Sequence, residues 1–587
     1  MRHFAGCGIL TRLIYHQHTE ACVVRCEIQR RISNIRTTAV IDDEVQRMLD
    51  QGMNPKNHPG KRAIPIVTLP PALEQACHRV IQKYKRSSFN QDVITLHRHF
   101  HHRLLPPEPE EIRLKQKEIE FRVDEMSKRR NGGETYLTDE EKAAARSEKV
   151  QKILKREMYN WKPIEYDSYK SVVYMTARMA ANFAALKYVF NEIKMDDPSF
   201  EPKSLFDFGS GVGTTLWAAM DLWPKDICEY LAVDISSEAA DIADLLLRRG
   251  DENNHPIFKN TLTRQFLPVS SHTKYDLVVC AYSLMELPSR SARINVLENL
   301  WHKTNDILVV VEHGKKGGFS VAMEARDLIL QLTGHKVTET FKVDSSQRGV
   351  VSGDAENIPC SHTMAPCPHN FPCPKLFTGQ VNPCNFKVAF NHLILPELRK
   401  HLWGTEEQFS YVIMRKKPLA LKDTPPWPRI ITKTKKKQGA VRCDLCCPNG
   451  TLQNVLVTKR YHEKSLHKIA RVSKWSDLLP ATVIEYFKSR DGRVYLESGY
   501  QSDPNYEKAV EKLMLLEGGK PKDPMIKNVE KNEGIQSEQF DSQSDESGSD
   551  SDDDGSSSDS SSSCEDDETH PKDSFDHTKR KWTINKS

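Results

Sequence analysis

The chain has 587 residues, of which 38% are hydrophobic and 28% charged, with a formal net charge of +4; that length supports two or three domains with sizeable cores, and the composition is that of a globular protein. No run of eighteen uncharged apolar residues exists, since the nearest, Val172 to Phe190, is interrupted by Arg178, Asn182 and Lys187, so no membrane span is expected. Residues 538–568 hold thirteen Asp/Glu and no Lys/Arg, and the rest of the chain stands at +17, a basic body that favours a polyanionic partner such as RNA.

Residues 1–40 set Arg2, Arg12, Arg25, Arg30, Arg31 and Arg36 against only Glu20 and Glu27, with apolar residues interspersed. That is the composition of a mitochondrial transit peptide; a basic N-terminal arm is the plainer alternative. Residues 41–203 read as an N-terminal helical region. ALEQACHRVIQKYK and NQDVITLHRHFHHRLL repeat apolar residues at three- and four-residue spacing, and EEIRLKQKEIEFRVDEMSKRR is a charged, exposed helix. SYKSVVYMTARMAANFAALKYVFNEIK is one long helix with a buried face, its aromatic and methionine positions read as core.

From residue 204 short β-like runs alternate with helices, over a segment that extends to 425. KSLFDFGSGVGTTLWAAMDLW is a strand, a glycine-rich turn and a helix start, with Asp207, Gly209, Gly211 and Gly213 spaced acidic-x-Gly-x-Gly-x-Gly. Glycines there let the backbone turn sharply and approach a ligand, while the helix N-terminus offers free N–H groups. The strand EYLAVDIS ends on Asp234, where a carboxylate can accept both hydroxyls of a ribose. KYDLVVCAYSLMELPS, with Asp276 at its start and Glu286 beyond its end, and NDILVVVEHG, with Glu312, supply two further strands. Four strands alternating with helices predict an α/β, Rossmann-like, doubly wound parallel sheet.

The glycine run followed by Asp234, with no position fit for a 2′-phosphate, resembles the S-adenosylmethionine site of Rossmann-like methyltransferases more than a nicotinamide site; a glycine turn kept for packing is the alternative. The catalytic tetrapeptide of amino-directed base methyltransferases, Asn/Asp-Pro-Pro-aromatic, is replaced by Ala281-Tyr282-Ser283-Leu284. Cys280 and Tyr282 stand near the right place, but no general base declares itself. Binding of the cofactor is therefore better supported than methyl transfer.

Seven of the fourteen cysteines lie between Cys360 and Cys447. A large chain without a secretory leader is a poor disulfide scaffold, so a metal or cluster site is the better reading. Cys367, Cys373 and Cys384 are close in sequence, and Cys443, Cys446 and Cys447 follow beyond QFSYVIMRK, a late strand of the same sheet, so the two groups are expected to meet across a sheet edge. Only the second group has the C-x2-C knuckle usual for zinc. Three close thiolates plus a distant one, with proline after Cys367, Cys373 and Cys447, suit an iron–sulfur cluster better. His362 and His369 keep zinc open, and free buried cysteines are the remaining alternative.

Residues 426–517 form a basic, cysteine-containing appendage. Arg429, Lys433, Lys435, Lys436 and Lys437 precede the last cysteine group, and Lys459, Arg460, Lys464, Lys468, Arg471 and Lys474 follow it, interleaved with Tyr461 and Trp475. The pattern suits contacts to RNA phosphates and stacked bases; a solvated basic face is the alternative. Residues 518–587, with DESGSDSDDDGSSSDSSSSCEDDE, lack the apolar surface to order themselves and read as a disordered acidic tail.

KSLFDFGSGVGTTLWAA, APCPHNFPCP, PWPRI, CDLCCPNG and ARVSKWSDLLP together resemble the Rsm22-type methyltransferase-like family of mitochondrial small-ribosomal-subunit assembly factors, over about Asp42 to Pro480. The resemblance implies a 4Fe-4S cluster held by Cys367, Cys373, Cys384 and Cys446, with Cys443 and Cys447 as bystanders. It also implies an S-adenosylmethionine-binding core that uses Asp207, Gly209, Gly211, Gly213 and Asp234. Binding to small-subunit rRNA in the mitochondrial matrix, support of mitochondrial translation and a monomer on the ribosome are the further implications, with no membrane partner. The interval from Cys373 to Cys384 departs from the family spacing, and nothing in the family matches the extension beyond about Gly518. An active S-adenosylmethionine-dependent rRNA methyltransferase is the alternative function. Radical S-adenosylmethionine chemistry would need C-x3-C-x2-C, which this chain lacks.

Overall fold

In the computed structural model the described residues are 35–130, 138–157, 164–268, 272–334, 361–377, 382–393, 405–417, 427–488, 494–496 and 513. Strand β1 (Ile35–Ile41) leads into α1 (Asp43–Asp50), where the Asp42 carboxylate accepts the N–H groups of Glu44 and Val45 and so caps the first turn. Helices α2 (Pro71–Tyr84) and α3 (Phe89–His102) precede a helical hairpin, α4 (Pro109–Arg130) and α5 (Asp139–Glu157), joined by a small core of Ile119, Val123 and Val150. Helix α6 (Ser168–Asp196) is capped by Asp167, which accepts the Lys170 N–H at 2.7 Å, and is buried on nearly every side. A helix apolar all round belongs inside a protein.

The central sheet takes β2 (Ser204–Phe208), β3 (Glu229–Val233), β4 (Thr261–Arg264), β5 (Tyr275–Ala281), β6 (Thr304–His313), β7 (His362–Ala365), β8 (Phe386–Ala389) and β9 (Glu406–Arg415). Between them run α7 (Thr214–Leu222), α8 (Ser237–Leu247), α9 (Arg290–Lys303) and α10 (Lys316–Leu332). The strand order is β4-β3-β2-β5-β6-β9-β7, with β8 also on β9. The first five strands are parallel, the four expected from sequence together with β4, whereas β9 runs antiparallel to β6, β7 and β8. Period-2 alternation divides each strand between two cores. Leu205, Leu277, Val279, Ile307 and Val309 join α6, α7 and α8 on one face, while Phe206, Val278, Cys280, Leu308 and Val310 join α9 and α10 on the other. The chain reverses its direction of growth between β2 and β5, which leaves a crevice at their carboxyl ends.

A second, smaller core belongs to the appendage: β10 (Arg429–Ile430), β11 (Lys435–Lys437), β12 (Ala440–Cys446), β13 (Leu452–Thr458), α11 (Lys464–Val472), β14 (Ala481–Lys488) and β15 (Val494–Leu496). Val441, Cys443, Leu445, Val455, Val457, Ile469 and Leu479 fill it, together with Ala39, Ile41 and Val45 from the start of the described chain. Strand β1 pairs antiparallel with β14 over seven positions, Ile35 opposite Phe487 to Ile41 opposite Ala481. A leader that ended at residue 40 would carry away Ile35 to Val40 of this paired strand, with the buried Ala39 and Val40 among them. Residues 1–34, Cys360 and the acidic tail 518–587 lie outside the described residues. Among the described residues no helix is long and apolar enough to cross a membrane.

Candidate functional site

The glycine turn after β2 occupies the crevice. Gly209, Gly211 and Gly213 have φ of +71°, +50° and +78°, values at which any other residue carries strain. The Gly209 and Ser210 N–H groups donate to Val233 O at 2.7 and 3.1 Å, which ties the turn to β3. The Asp234 carboxylate accepts the N–H groups of Gly211 at 2.7 Å and Ser236 at 2.9 Å and keeps lone pairs for further donors. Burial raises its pKa and the two amides oppose that rise. A cavity of about 360 Å³ opens beside it, lined among others by Ser210, Gly213, Trp217, Asp234 and Arg264, within the size range of small-molecule sites.

The five predicted residues divide. Gly213 and Asp234 line the cavity, and at Gly211 an added Cβ would meet nothing within 4 Å. Gly209 packs against Ser283, with no room for a Cβ. Asp207 is buried beneath the turn, where it accepts the Tyr230 hydroxyl at 3.0 Å, and burial pushes its carboxyl up to about 7. It braces the turn from below. Two residues were missed by the sequence reading: Ile235 and Phe266 are 82% and 75% exposed, just past the ends of the paired strands β3 and β4. Large apolar side chains left in water at a crevice offer a surface to a flat ring.

Across the crevice, Tyr282, the second residue of the segment that stands in place of the catalytic tetrapeptide, has φ +58°, an outlier for an aromatic residue. Its ring centroid lies 4.8 Å from that of His313, and its hydroxyl is 3.3 Å from Glu407 Oε1. Arg178 closes this polar group with a two-point bond to Glu407 at 2.6 and 3.1 Å. Glu312, fully buried, accepts the N–H groups of Leu284 and Met285 at 2.9 and 3.3 Å, and burial pushes it up to about 7. From the helical region Arg103 reaches Glu286 at 2.5 Å.

Cys367, Cys373 and Cys384, from the segment between β7 and β8, and Cys446, at the end of β12, line one cavity. Cys443 shares the inward face of β12 with Val441 and Leu445 and is fully buried in the appendage core, as is Cys447; Cys446 is out of phase with them and leaves that core. Burial raises all four cavity thiols, Cys384 to about 11. His369 Nδ1 faces Phe371 O at 3.0 Å and its Nε2 lies 3.4 Å from Cys446 Sγ, so the first donates and the second accepts. His362 turns instead to Lys417 O at 2.7 Å. Among the described residues no group of three or more His, Cys, Asp or Glu is arranged to hold a metal ion.

Above this junction the appendage exposes Lys433, Lys435, Lys436, Lys437, Arg442, Lys459 and Arg460, and α11 adds Lys464, Lys468 and Arg471 on its outer side. The groups are neighbours: Lys459 N–H donates to Gly439 O at 3.0 Å and Arg471 Nη1 to Lys437 O at 3.4 Å. Tyr461 is 68% exposed beside Arg460. Two residues assigned to this face belong elsewhere. Arg429 is 3% exposed and bonded to Glu192 at 2.7 and 3.1 Å, and Trp475 packs against the main core.

Residues 168–342 and 350–480 match the family described as mitochondrial small ribosomal subunit Rsm22. The human mitochondrial ribosome assembly protein METTL17 is 36% identical over 426 residues, 72% of this chain and 85% of that protein. The mitochondrial ribosome assembly protein RSM22 of Saccharomyces cerevisiae is 24% identical over 336 residues, 43% of this chain and 53% of the yeast protein. Among solved structures, a SAM-dependent methyltransferase of Aquifex aeolicus covers 26% of this chain and 76% of its own, at 16% identity and a TM-score of 0.20, too distant to add to the topology itself.

Proposed function

This chain belongs to the Rsm22 family, and from that premise we propose that it is a mitochondrial ribosome assembly factor: a methyltransferase-like core that binds S-adenosylmethionine, joined through an iron–sulfur cluster to an appendage that binds small-subunit rRNA in the matrix. The observation that carries the reading is the meeting of Cys446 from the appendage with Cys367, Cys373 and Cys384 from the core segment in one cavity. Three thiols close in sequence and one distant, lining a single cavity, suit an iron–sulfur group better than a zinc site, which usually has a C-x2-C knuckle on each side. When bound, the cluster supplies a covalent bridge between core and appendage and so fixes the basic face. For the nucleoside cofactor, support comes from the Asp234 carboxylate, the open side of Gly211 and the exposed Ile235 and Phe266.

The test is iron, acid-labile sulfide and rRNA affinity of anaerobically purified wild type and Cys446→Ser. The reading expects about four iron and four sulfide in the wild type, with both lost in the variant together with at least about tenfold of the rRNA affinity, while S-adenosylmethionine binding survives. Zinc without sulfide, or full rRNA affinity in the variant, would overturn it. Domain assignment follows the same lines: core 204–425, appendage 426–517, and a leader that ends before Ile35.

A further inference from the structure

Helix α10 turns a stripe towards the cysteine segment. Phe319, Ala322 and Met323 form a small cluster with Cys373, and Cys384 packs against it. One turn further on stands Arg326, with no exposed surface at all. A buried guanidinium needs a use for each of its donors. Nη2 donates to His369 O at 2.8 Å and to Phe371 O at 2.7 Å, both inside the loop from Cys367 to Cys373. Nη1 donates to Asp327 Oδ1 at 2.5 Å. Nε, although buried, has no partner, and neither has Asp327 Oδ2. Burial disfavours its charge, and the titratable groups that face it and oppose that effect are Cys367, Asp327 and Cys373.

We propose that Arg326 is the positioning residue of the cysteine site: it clamps the Cys367–Cys373 loop through two carbonyls and holds a compensating positive charge beside the two thiolates, with Asp327 setting how much of that charge is felt. An iron–sulfur group ligated by four thiolates is anionic, and in a buried site an adjacent cation and its N–H groups stabilise it and raise its reduction potential. The inference rests on the cluster reading given above.

The experiment compares full-length wild type, Arg326→Gln and Asp327→Asn, each reconstituted anaerobically with iron and sulfide, by midpoint potential and by the rate of iron release to a chelator. Arg326→Gln removes the positive charge; its midpoint should move negative and its iron should leave at least about tenfold faster. Asp327→Asn is isosteric and removes the opposing charge, so its midpoint should move positive with iron release no faster than wild type. Opposite signs identify charge, because a packing defect would drive both variants the same way. Shifts of the same sign, or wild-type behaviour in both variants, would overturn the proposal, and Asp327→Asn carries the test alone if Arg326→Gln fails to fold. A wild-type chain that takes up no sulfide overturns the cluster reading and the inference with it, whereas an intact wild-type cluster indifferent to both substitutions overturns the inference only.

Discussion

Gly209 and Ser283 show how closely the crevice is built. Gly209 combines a positive φ with the Ser283 side chain where its Cβ would stand. Gly209→Ala should therefore cost roughly 2 kcal/mol or more in urea unfolding; adding Ser283→Gly should recover the steric part and leave the backbone strain, about 1 kcal/mol. A double variant no better than the single one would show that the contact is not the cause. Asp207 and Glu312 make a second prediction. Both folded-state carboxyls are raised to about 7 by burial, so the folded protein binds more protons than the unfolded chain between roughly pH 4 and pH 7. Their contribution is present below pH 4 and lost as pH rises through 7. Asp207→Asn should flatten the decline in melting temperature between pH 5 and pH 8, and an unchanged slope would refute the assignment. The glycine spacing and Asp234 were legible in the sequence because a turn needing positive φ leaves its mark on residue type. The use of Asp207 was less so, although strand periodicity puts it on the face of Leu205, inside the core. Phe266 left no local signal, since its neighbour Asp234 is brought to it only by the pairing of β3 with β4.

Among the elements, α6 and β10 share the most consequential contact. Glu192 of α6 and Arg429 of β10 are 0% and 3% exposed and joined by two hydrogen bonds. Breaking one side of such a pair strands a charge, whereas replacing both is often neutral. Arg429→Met should destabilise by about 3–5 kcal/mol and Arg429→Met with Glu192→Leu by far less, read from chemical denaturation; additive losses would show that the pair is not coupled. This contact explains the misreading of Arg429. Within a run of cations every member reads as solvated, and the one buried member is betrayed only by a carboxylate 237 residues away. Strand periodicity, by contrast, does separate Cys446 from Cys443.

For the whole molecule, the closing pair is β1 with β14. Compared with removal of residues 1–34, removal of 1–41 should lower the melting temperature by several degrees and expose the appendage core to proteolysis. Equal stability of the two truncations would mean that β1 contributes nothing. Neither the pairing nor the place of β1 in the appendage was legible, because the basic composition around it reads as a leader and its partner strand lies more than four hundred residues on.

That separation has a consequence in time. The α/β core can collect its parallel strands from neighbouring segments, but the three-stranded sheet β1-β14-β15 waits for a contact across more than four hundred residues, and loops of that length close late and slowly. The lysine-bearing strands β11, β12 and β13 pair with one another locally, so the β1–β14 pairing, not the basic face, is the step completed last. A chain cut short before Ala481 would hold its α/β core and its basic strands but leave β1 without its partner.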